Sequence, residues 1–304
     1  MKSGSNFKVY VALIISMIIW GLSFIWYKQA YISFLPATVI VFRLFISSPL
    51  LLLSAFMLRR LKWPDKKDIK YFLLLAFFEP FLYFVGESYG MLYVSSTLAS
   101  ILIATIPIIT PLAGYFFFKE RLKINNYFGM FLSFIGVVLV VYVEGRLGEA
   151  QWSGIFLILL AVFSTVGYTS ILKKISEKYN ALSILWLQNL IGGIYFLPLF
   201  LFTELKSIAW DTLSFNDFIP ILYLAIFASS LAFLFFIQGN RKLGMTRAVV
   251  FVNFIPIVTA IFAVYILHEK LPWLKGIGIL VTILGLFMSQ KNRVYIFRKI
   301  KKAE

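Results

Sequence analysis

Three ionisable side chains, Arg43, Glu79 and Glu87, lie inside or near the ends of long apolar stretches. A charge in apolar surroundings is costly and usually faces a cavity or an oppositely charged partner. Arg43 could bind a substrate carboxylate, because its guanidinium group suits two-point binding, or it could form a structural ion pair with one of the glutamates. Glu79 could bind a substrate amine or carry a coupling proton, since burial favours the neutral carboxyl group.

The residues around Glu79 form one stripe of a predicted helix. At about 100° per residue, Glu79, Tyr83, Gly86 and Gly90 share a face. The two glycines have the spacing that lets helices approach closely, and Pro80 should perturb the helix directly after Glu79. A bent helix with a carboxyl group and a tyrosine on one face suits a cavity wall, and simple helix packing is the alternative.

Other apolar stretches carry further candidates. Trp20 could line a cavity or could only pack against its neighbours. Asn253 stands shortly before Pro256, and prolines in such helices can free backbone carbonyls for a ligand, which makes Asn253 a candidate for the cavity wall. The weaker candidates are Tyr168, Trp186, Gln188 and Asn189.

The composition argues against several classes of site. The 304 residues contain no cysteine, which excludes disulfides and thiolate sites. The single histidine, His268, rules out paired-histidine metal motifs. No phosphate-binding loop of the GxxxxGK[ST] type is present, which argues against direct use of ATP. We therefore expect no catalytic residues, no metal and no cofactor.

The apolar stretches predict an all-α integral membrane protein. Hydrophobic residues make up 61% of the chain and the mean hydropathy is +0.90, which is more than a soluble core can bury. A spanning helix needs about 20 apolar residues, and such stretches must be helical because backbone groups cannot stay unpaired in lipid. Ten candidate spans cover residues 9–27, 37–58, 71–89, 97–118, 127–143, 155–172, 182–202, 218–238, 248–267 and 274–288.

The distribution of positive charge predicts the orientation. Lysine and arginine are enriched in the cytoplasmic connections of membrane proteins. Of the 29 such residues, 23 lie in the two tails and the even-numbered connections, and only five lie in the odd-numbered ones. We therefore expect a multi-pass protein of the cell membrane (plasma or inner) with both termini in the cytoplasm. The net charge of +16 then reflects orientation rather than nucleic-acid binding, and the basic tail, residues 291–304, should meet anionic lipid headgroups.

The chain also repeats itself at an offset of 149 residues. Two repeats of five helices are predicted, at residues 1–145 and 150–290, and an odd helix number gives them opposite orientations in the membrane. Inverted repeats are typical of secondary transporters, whose substrate site lies between the repeats. The matching pairs include Pro107 with Pro256, Thr110 with Thr259, Glu120 with Glu269, Gly129 with Gly278 and Gly136 with Gly285.

The chain resembles the EamA-type members of the drug/metabolite transporter superfamily over essentially its whole length. The resemblance rests on Trp20-Gly21, on Arg43 and on a segment that occurs twice. The segment reads Pro107-Ile-Ile-Thr-Pro…Lys119-Glu120-Arg121-Leu122 and Pro256-Ile-Val-Thr-Ala…His268-Glu269-Lys270-Leu271. The resemblance implies a ten-helix, two-repeat carrier of small metabolites, often an exporter of amino acids or related compounds.

The predicted function is a secondary active transporter that works by alternating access on a small-molecule substrate. Export of an amino acid or related compound is the leading expectation, with proton coupling as an option. A membrane-embedded enzyme and a non-coupled channel or facilitator are the alternatives. The candidate substrate-binding or coupling residues are Glu79, Arg43, Tyr83, Glu87, Trp20 and Asn253.

Overall fold

The computed structural model describes residues 3–109, 124–143, 149–243, 248 and 250–290, and these residues form helices and turns with no strand among them. Six helices are long and apolar enough to cross a membrane, and four shorter apolar helices accompany them. Part of the predicted fourth span, Glu120 and the basic tail lie outside the described residues. In chain order the helices are α1 (Ser3–Ala30), α2 (Pro36–Met57), α3 (Lys66–Gly90), α4 (Ser96–Ile109), α5 (Ile124–Val143), α6 (Glu149–Ser176), α7 (Ala181–Ser207), α8 (Phe215–Leu243), α9 (Phe251–Leu267) and α10 (Trp273–Gln290).

Polar side chains mark several helix starts, where backbone N–H groups have no partner within the helix. Ser95 accepts a hydrogen bond from an N–H of the first turn of α4, and Asn180 does the same for α7. Ser214 and Asp217 form a reciprocal capping box before α8. Helix α2 begins with Pro36, whose fixed φ suits the first helical position.

Helices α3 and α8 each contain a segment of wider, π-helical turns. The segment of α3 is Phe77–Leu82, and that of α8 is Leu224–Ala232. Within the first, the backbone of Glu79 is extended, with φ −147° and ψ 119°, because a following proline restricts the residue before it. The perturbation that Pro80 predicts is therefore confirmed. Such wide turns are frequent at functional sites.

Glycines bring α5 and α10 into close contact. A Cβ atom on Gly136 would lie 2.4 Å from the backbone nitrogen of Thr282, and one on Gly285 would lie 2.3 Å from that of Ser133. Only a residue without a side chain allows the two backbones to approach this far.

The same principle places α3 against α6. A Cβ atom on Gly86 would lie 2.3 Å from the carbonyl oxygen of Leu157, and one on Gly90 would lie 2.9 Å from that of Gly154. The close approach that the spacing of these two glycines predicts is confirmed, and it fixes the position of α3, which carries both candidate glutamates.

Many large apolar side chains of the described residues are exposed, whereas five charged side chains are buried. Phe202 is 87% exposed and Tyr265 is 77% exposed, while Arg43 is only 2% exposed. Soluble proteins rarely bury a charge in this way. Apolar side chains facing outwards and ionisable ones facing inwards are the arrangement of a multi-pass membrane protein.

Candidate functional site

Arg43 lies where four helices meet. From α2, its Nε atom donates a hydrogen bond to Ser229 Oγ of α8 at 2.8 Å, and its Nη1 atom donates to the Tyr27 hydroxyl group of α1. The guanidinium group also lies over the ring of Phe84 of α3, 4.4 Å from its centroid. The two hydrogen bonds use two of the five N–H donors of an arginine. The other donors have no partner among the described residues and are suited to an anion.

A buried carboxyl group lies beside Arg43 on α3. The Tyr83 hydroxyl group donates to Glu87 Oε1 at 3.0 Å, and Glu87 acts electrostatically on both Tyr27 and Arg43. The ion pairs within 4 Å in the described residues nevertheless do not include Arg43. The direct Arg43–glutamate pair, one of the sequence-based alternatives, is therefore absent from these residues, and Arg43 bonds to hydroxyl groups instead. We name the following residues the Arg43 cluster: Arg43, Tyr27, Ser229, Tyr83 and Glu87.

Glu79 lies at the break in α3 and is 6% exposed. Glycines of α6 and α7 allow both helices to approach this break. A Cβ atom on Gly167 would lie 2.5 Å from the ring of Phe78, and one on Gly192 would lie 2.1 Å from Pro80 Cγ. No described residue donates a hydrogen bond to the Glu79 carboxylate, which lies within electrostatic range of the Arg43 cluster. A buried carboxyl group without a donor is a candidate for binding a ligand or a proton.

Two buried polar side chains of α6 and α7 lie near Glu79. Tyr168 follows Gly167, and its hydroxyl group is close to Gln188 and within electrostatic range of Glu79. Gln188 precedes Gly192 by four residues and therefore shares the face of α7 that meets α3. The Gln188 amide lies close enough to the Tyr168 hydroxyl group to interact with it, but neither Tyr168 Oη nor Gln188 Oε1 forms a hydrogen bond of good geometry in the described part of the chain. We name Glu79, Tyr168 and Gln188 the Glu79 cluster.

The wide turns of α8 leave carbonyl groups to which other helices donate. Trp20 Nε1 donates to the carbonyl oxygen of Ala228 at 3.4 Å, and Asn189 Nδ2 donates to that of Ser229 at 3.3 Å. Trp20 therefore borders the segment that carries a member of the Arg43 cluster. Its indole N–H group contacts the protein backbone, as the packing alternative requires.

Asn253 lies in the first turns of α9, where Val250–Phe254 form a 3₁₀ helix. It is completely buried, and neither polar atom of its amide has a partner among the described residues. Further along α9, Thr259 Oγ1 donates to the carbonyl oxygen of Gly21 at 3.0 Å, which holds α9 against α1. Among the described residues, Asn253 forms no hydrogen bond with Arg43 or Glu79.

Four of the six predicted site residues therefore come together, namely Arg43, Glu87, Tyr83 and, within electrostatic range of them, Glu79. The sequence does not single out Tyr27 or Ser229, because a hydroxyl group in an apolar stretch carries no charge that would mark it. One signal for Ser229 exists, since the 149-residue offset places it opposite Pro80.

Two glutamates outside these clusters cap helices. Glu204 of α7 accepts hydrogen bonds from the N–H and the hydroxyl group of Thr38 at 2.7 and 2.9 Å, at the start of α2. Glu269, after α9, accepts one from the hydroxyl group of Thr97 at 2.7 Å, at the start of α4. Negative charge is favourable at a helix N-terminus. Each of these glutamates therefore caps the start of a helix, and Glu204 is a polar contact that the sequence alone does not predict.

The arrangement combines one cation and two carboxyl groups in buried surroundings. Such a set can bind a solute of mixed charge or can hold a proton on a carboxyl group. Within the described part of the chain, no three histidine or acidic side chains are placed to hold a metal ion.

Comparisons with known proteins identify relatives along the whole chain. The model of the EamA-like transporter family matches residues 7–142 and 152–290. An uncharacterized transporter of Archaeoglobus fulgidus is 30% identical over 289 residues, which cover 93% of this chain and 98% of that protein. The uncharacterized transporter YetK of Bacillus subtilis is 28% identical over 252 residues, which cover 81% of this chain and 76% of YetK.

The fold also resembles a crystal structure, with a TM-score of 0.69 and 11% sequence identity, over 93% of this chain and 98% of the other. At this identity the likeness concerns the fold alone. The family match and the named relatives concern function as well, and they agree with the buried ionisable groups and the apolar helices. The chain belongs to the EamA-like transporter family of the drug/metabolite transporter superfamily and is a multi-pass membrane transporter.

Proposed function

We propose that the chain is a secondary active transporter that exports a small metabolite, an amino acid or a related compound, by alternating access. The observation that carries the proposal is the Arg43 cluster. In it, Arg43 from the first family-matched segment bonds to Ser229 from the second. A buried polar site shared by two segments is what a carrier needs if the segments move against each other around the substrate.

Ten spans in two inverted repeats, residues 1–145 and 150–290, are part of this proposal. Between α5 and α10, a Cβ on Gly278 would lie 3.0 Å from the Gly136 carbonyl oxygen, and one on Gly285 would lie 2.7 Å from that of Gly129. The 149-residue offset exchanges these two pairs, as a twofold relation between halves requires. The same offset carries the wide turns of α3, residues 77–82, onto residues 226–231, inside the wide turns of α8.

Alternating access requires contacts that close each end of the site in turn. At one end, the connection between α6 and α7 is held against the last residue before α3 and the first turn of α3. Lys178 forms ion pairs with Asp65 and Asp68, and the Tyr179 hydroxyl group donates to Asp68 Oδ2 at 2.7 Å. We name these contacts the Lys178 latch. The distribution of positive charge supports the proposal that this end, together with both termini, faces the cytoplasm.

The opposite end is closed by the caps that Glu204 and Glu269 form and by a hydrogen bond from Ser33 to Asp217. Each of these contacts joins the first family-matched segment to the second. An outward-open state has to break this set, and an inward-open state has to break the Lys178 latch. We name the set the outer caps.

The charges of the site suit an amino acid. The unused N–H donors of Arg43 are suited to a carboxylate, while Glu79 and Glu87 supply carboxyl groups for an amine or for a coupling proton. In the cell membrane, protons that enter down their gradient would then drive export. The basic tail would rest on anionic lipid headgroups of the cytoplasmic leaflet.

Transport by the purified full-length protein in lipid vesicles tests this proposal. The vesicles are loaded with an equimolar mixture of the proteinogenic amino acids, and loss of each is measured by mass spectrometry with and without an imposed proton gradient. We expect the gradient to accelerate the loss of at least one amino acid relative to protein-free vesicles. We further expect Glu79→Gln or Glu87→Gln to remove the response to the gradient. Glu177→Gln is the matched control, because Glu177 is exposed in the connection between α6 and α7.

Other results would identify the alternatives. Conductance at ion-channel rates would indicate a channel, and chemical conversion of a solute would indicate an enzyme. Solute flux through the wild-type protein that does not depend on the proton gradient would contradict proton coupling and would indicate a facilitator.

A further inference from the structure

We infer that the Glu79 cluster binds a primary ammonium group of the substrate, and that Tyr168 and Gln188 are the residues that recognise it. The inference rests on the proposed carrier function and adds the substrate class, a solute with a protonated primary amine. It gives a role to two buried polar side chains, those of Tyr168 and Gln188.

The cluster draws one oxygen-bearing side chain from each of three helices. Glu79 comes from the break in α3, Tyr168 from α6 and Gln188 from α7. Gly167 and Gly192 let α6 and α7 touch the residues on either side of Glu79. Because Tyr168 adjoins one of these glycines and Gln188 lies one helical turn from the other, both side chains are held near the break.

The oxygens of the cluster have acceptor capacity that no hydrogen bond of good geometry within the described residues uses. Tyr168 is 3% exposed and Gln188 is 1% exposed, and their Oη and Oε1 atoms have no hydrogen-bond partner among these residues. The Glu79 carboxylate receives no hydrogen bond from them either. Buried polar atoms without partners are rare in native proteins and call for an explanation. Two of them beside a carboxylate that receives no hydrogen bond from the described residues indicate a missing donor.

A primary ammonium group supplies what is missing. It carries three N–H donors, no acceptor and one positive charge, which match three acceptor oxygens of which one belongs to a carboxylate. An anion would be repelled by Glu79, and a quaternary ammonium group has no N–H to donate. A sodium ion also takes oxygen ligands, and the experiment below separates it from an amine.

The neighbouring Arg43 cluster completes the recognition of an amino acid. Arg43 lies within electrostatic range of Glu79, so that one solute can present its ammonium group to the Glu79 cluster and its carboxylate to Arg43. Glu87, which is hydrogen-bonded to Tyr83, then remains as the carboxyl group for a coupling proton.

Ligand-induced thermal stabilisation of the detergent-purified full-length protein tests the assignment, with tryptophan fluorescence as the signal. Alanine, leucine and phenylalanine are each compared with two matched analogues. One is the 2-hydroxy acid with the same side chain, which lacks the amine, and the other is the corresponding amine, which lacks the carboxylate. We expect at least one amino acid and its amine to stabilise the wild-type protein at concentrations where the 2-hydroxy acid has little effect. Tyr168→Phe and Gln188→Met should each weaken binding of the amine-bearing compounds by about tenfold, as the loss of a hydrogen bond to a charged group does.

The controls make the same chemical changes at exposed positions. Tyr265→Phe on α9 and Gln238→Met on α8 should leave every affinity unchanged. The unliganded transition temperature of each variant shows whether it is folded.

Three outcomes would overturn the assignment. The first is a wild-type protein that responds to none of the amines. The second is an equal loss of affinity for amino acid and 2-hydroxy acid in the Tyr168 and Gln188 variants, which indicates a structural role. The third is that sodium chloride stabilises the wild-type protein more than potassium chloride does, and that these variants lose the difference. That result indicates a site for a coupling cation. Gradient-driven export from vesicles of a solute without an amine would support the proposed carrier function but contradict the proposed ammonium site.

Discussion

The Nε atom of Arg43 lies 2.8 Å from the hydroxyl oxygen of Ser229, and this hydrogen bond joins α2 to the wide turns of α8. Hydrogen bonds of a charged donor are stronger than neutral ones, and more so in surroundings of low dielectric constant. The two residues belong to different family-matched segments. The bond therefore holds the segments together at the point where the proposed substrate carboxylate would compete for Arg43.

Ser229→Ala should destabilise the protein. We expect the free energy of unfolding to fall by about 1.5–3 kcal/mol, because a hydrogen bond to a buried charge is lost. Ser170→Ala is the control, since Ser170 is exposed and bonds only within its own helix; its effect should stay within about 0.5 kcal/mol. Denaturant unfolding of the purified protein in detergent measures both. Equal effects would show that the Arg43–Ser229 bond contributes no stability.

Arg43→Lys should impair transport more than it impairs stability. Lysine keeps the charge but lacks the planar fork that binds a carboxylate at two points. We expect vesicle export of the amino-acid mixture to fall by about tenfold or more, whereas Arg241→Lys at an exposed position of α8 should have no effect. The charge swap Arg43→Glu with Glu87→Arg should not restore export, because the two side chains do not form an ion pair. Restored export would favour the structural alternative.

The sequence reveals the charged members of the site and Tyr83, but not the hydrogen-bond partners of Arg43. Arg43 and Glu79 are conspicuous because a charge inside an apolar stretch is rare. Pro80 predicts the break in α3, because proline disrupts helical hydrogen bonding. Tyr27 and Ser229 are not conspicuous, since hydroxyl groups are tolerated in apolar helices and only the packing of distant helices selects them. The wide turns of α8 contain no proline. No local signal in the sequence therefore predicts them.

The two proposed gates should respond separately to substitution. The chain lacks cysteine, so a single reporter at the buried Ser88 can be labelled by a membrane-impermeant maleimide from either side of oriented vesicles. Lys178→Ala should speed labelling from the side of the Lys178 latch only, and Glu269→Gln from the side of the outer caps only, because each removes a contact that closes one end. Lys173→Ala, at an exposed residue of α6, is the control. Faster labelling from both sides with either variant would indicate general loosening instead of gating.

The Lys178 latch should be insensitive to pH near neutrality. Hydrogen bonds to Asp65 and Asp68 raise the pKa of Lys178 above the ordinary lysine value. A raised folded-state pKa gives a contribution that is complete below the ordinary value and is lost only as the pH rises through the folded-state value. We therefore expect the labelling rate from the latch side, corrected with a model thiol, to stay constant between about pH 6 and pH 8. A rate that changes across this range would show that another titrating group controls this end.

The packing of α5 against α10 can be tested by two alanine substitutions on α10. A Cβ atom on Gly285 would lie 2.3 Å from the backbone nitrogen of Ser133, and backbone cannot easily move aside, so Gly285→Ala should lower the free energy of unfolding by about 1–3 kcal/mol. Gly276 has nothing within 4 Å of an added Cβ, so Gly276→Ala should be neutral or stabilise by up to about 1 kcal/mol. Denaturant unfolding in detergent compares the two variants. Equal effects would contradict the close packing of these helices, and with it the exchange of glycine pairs that supports two related halves.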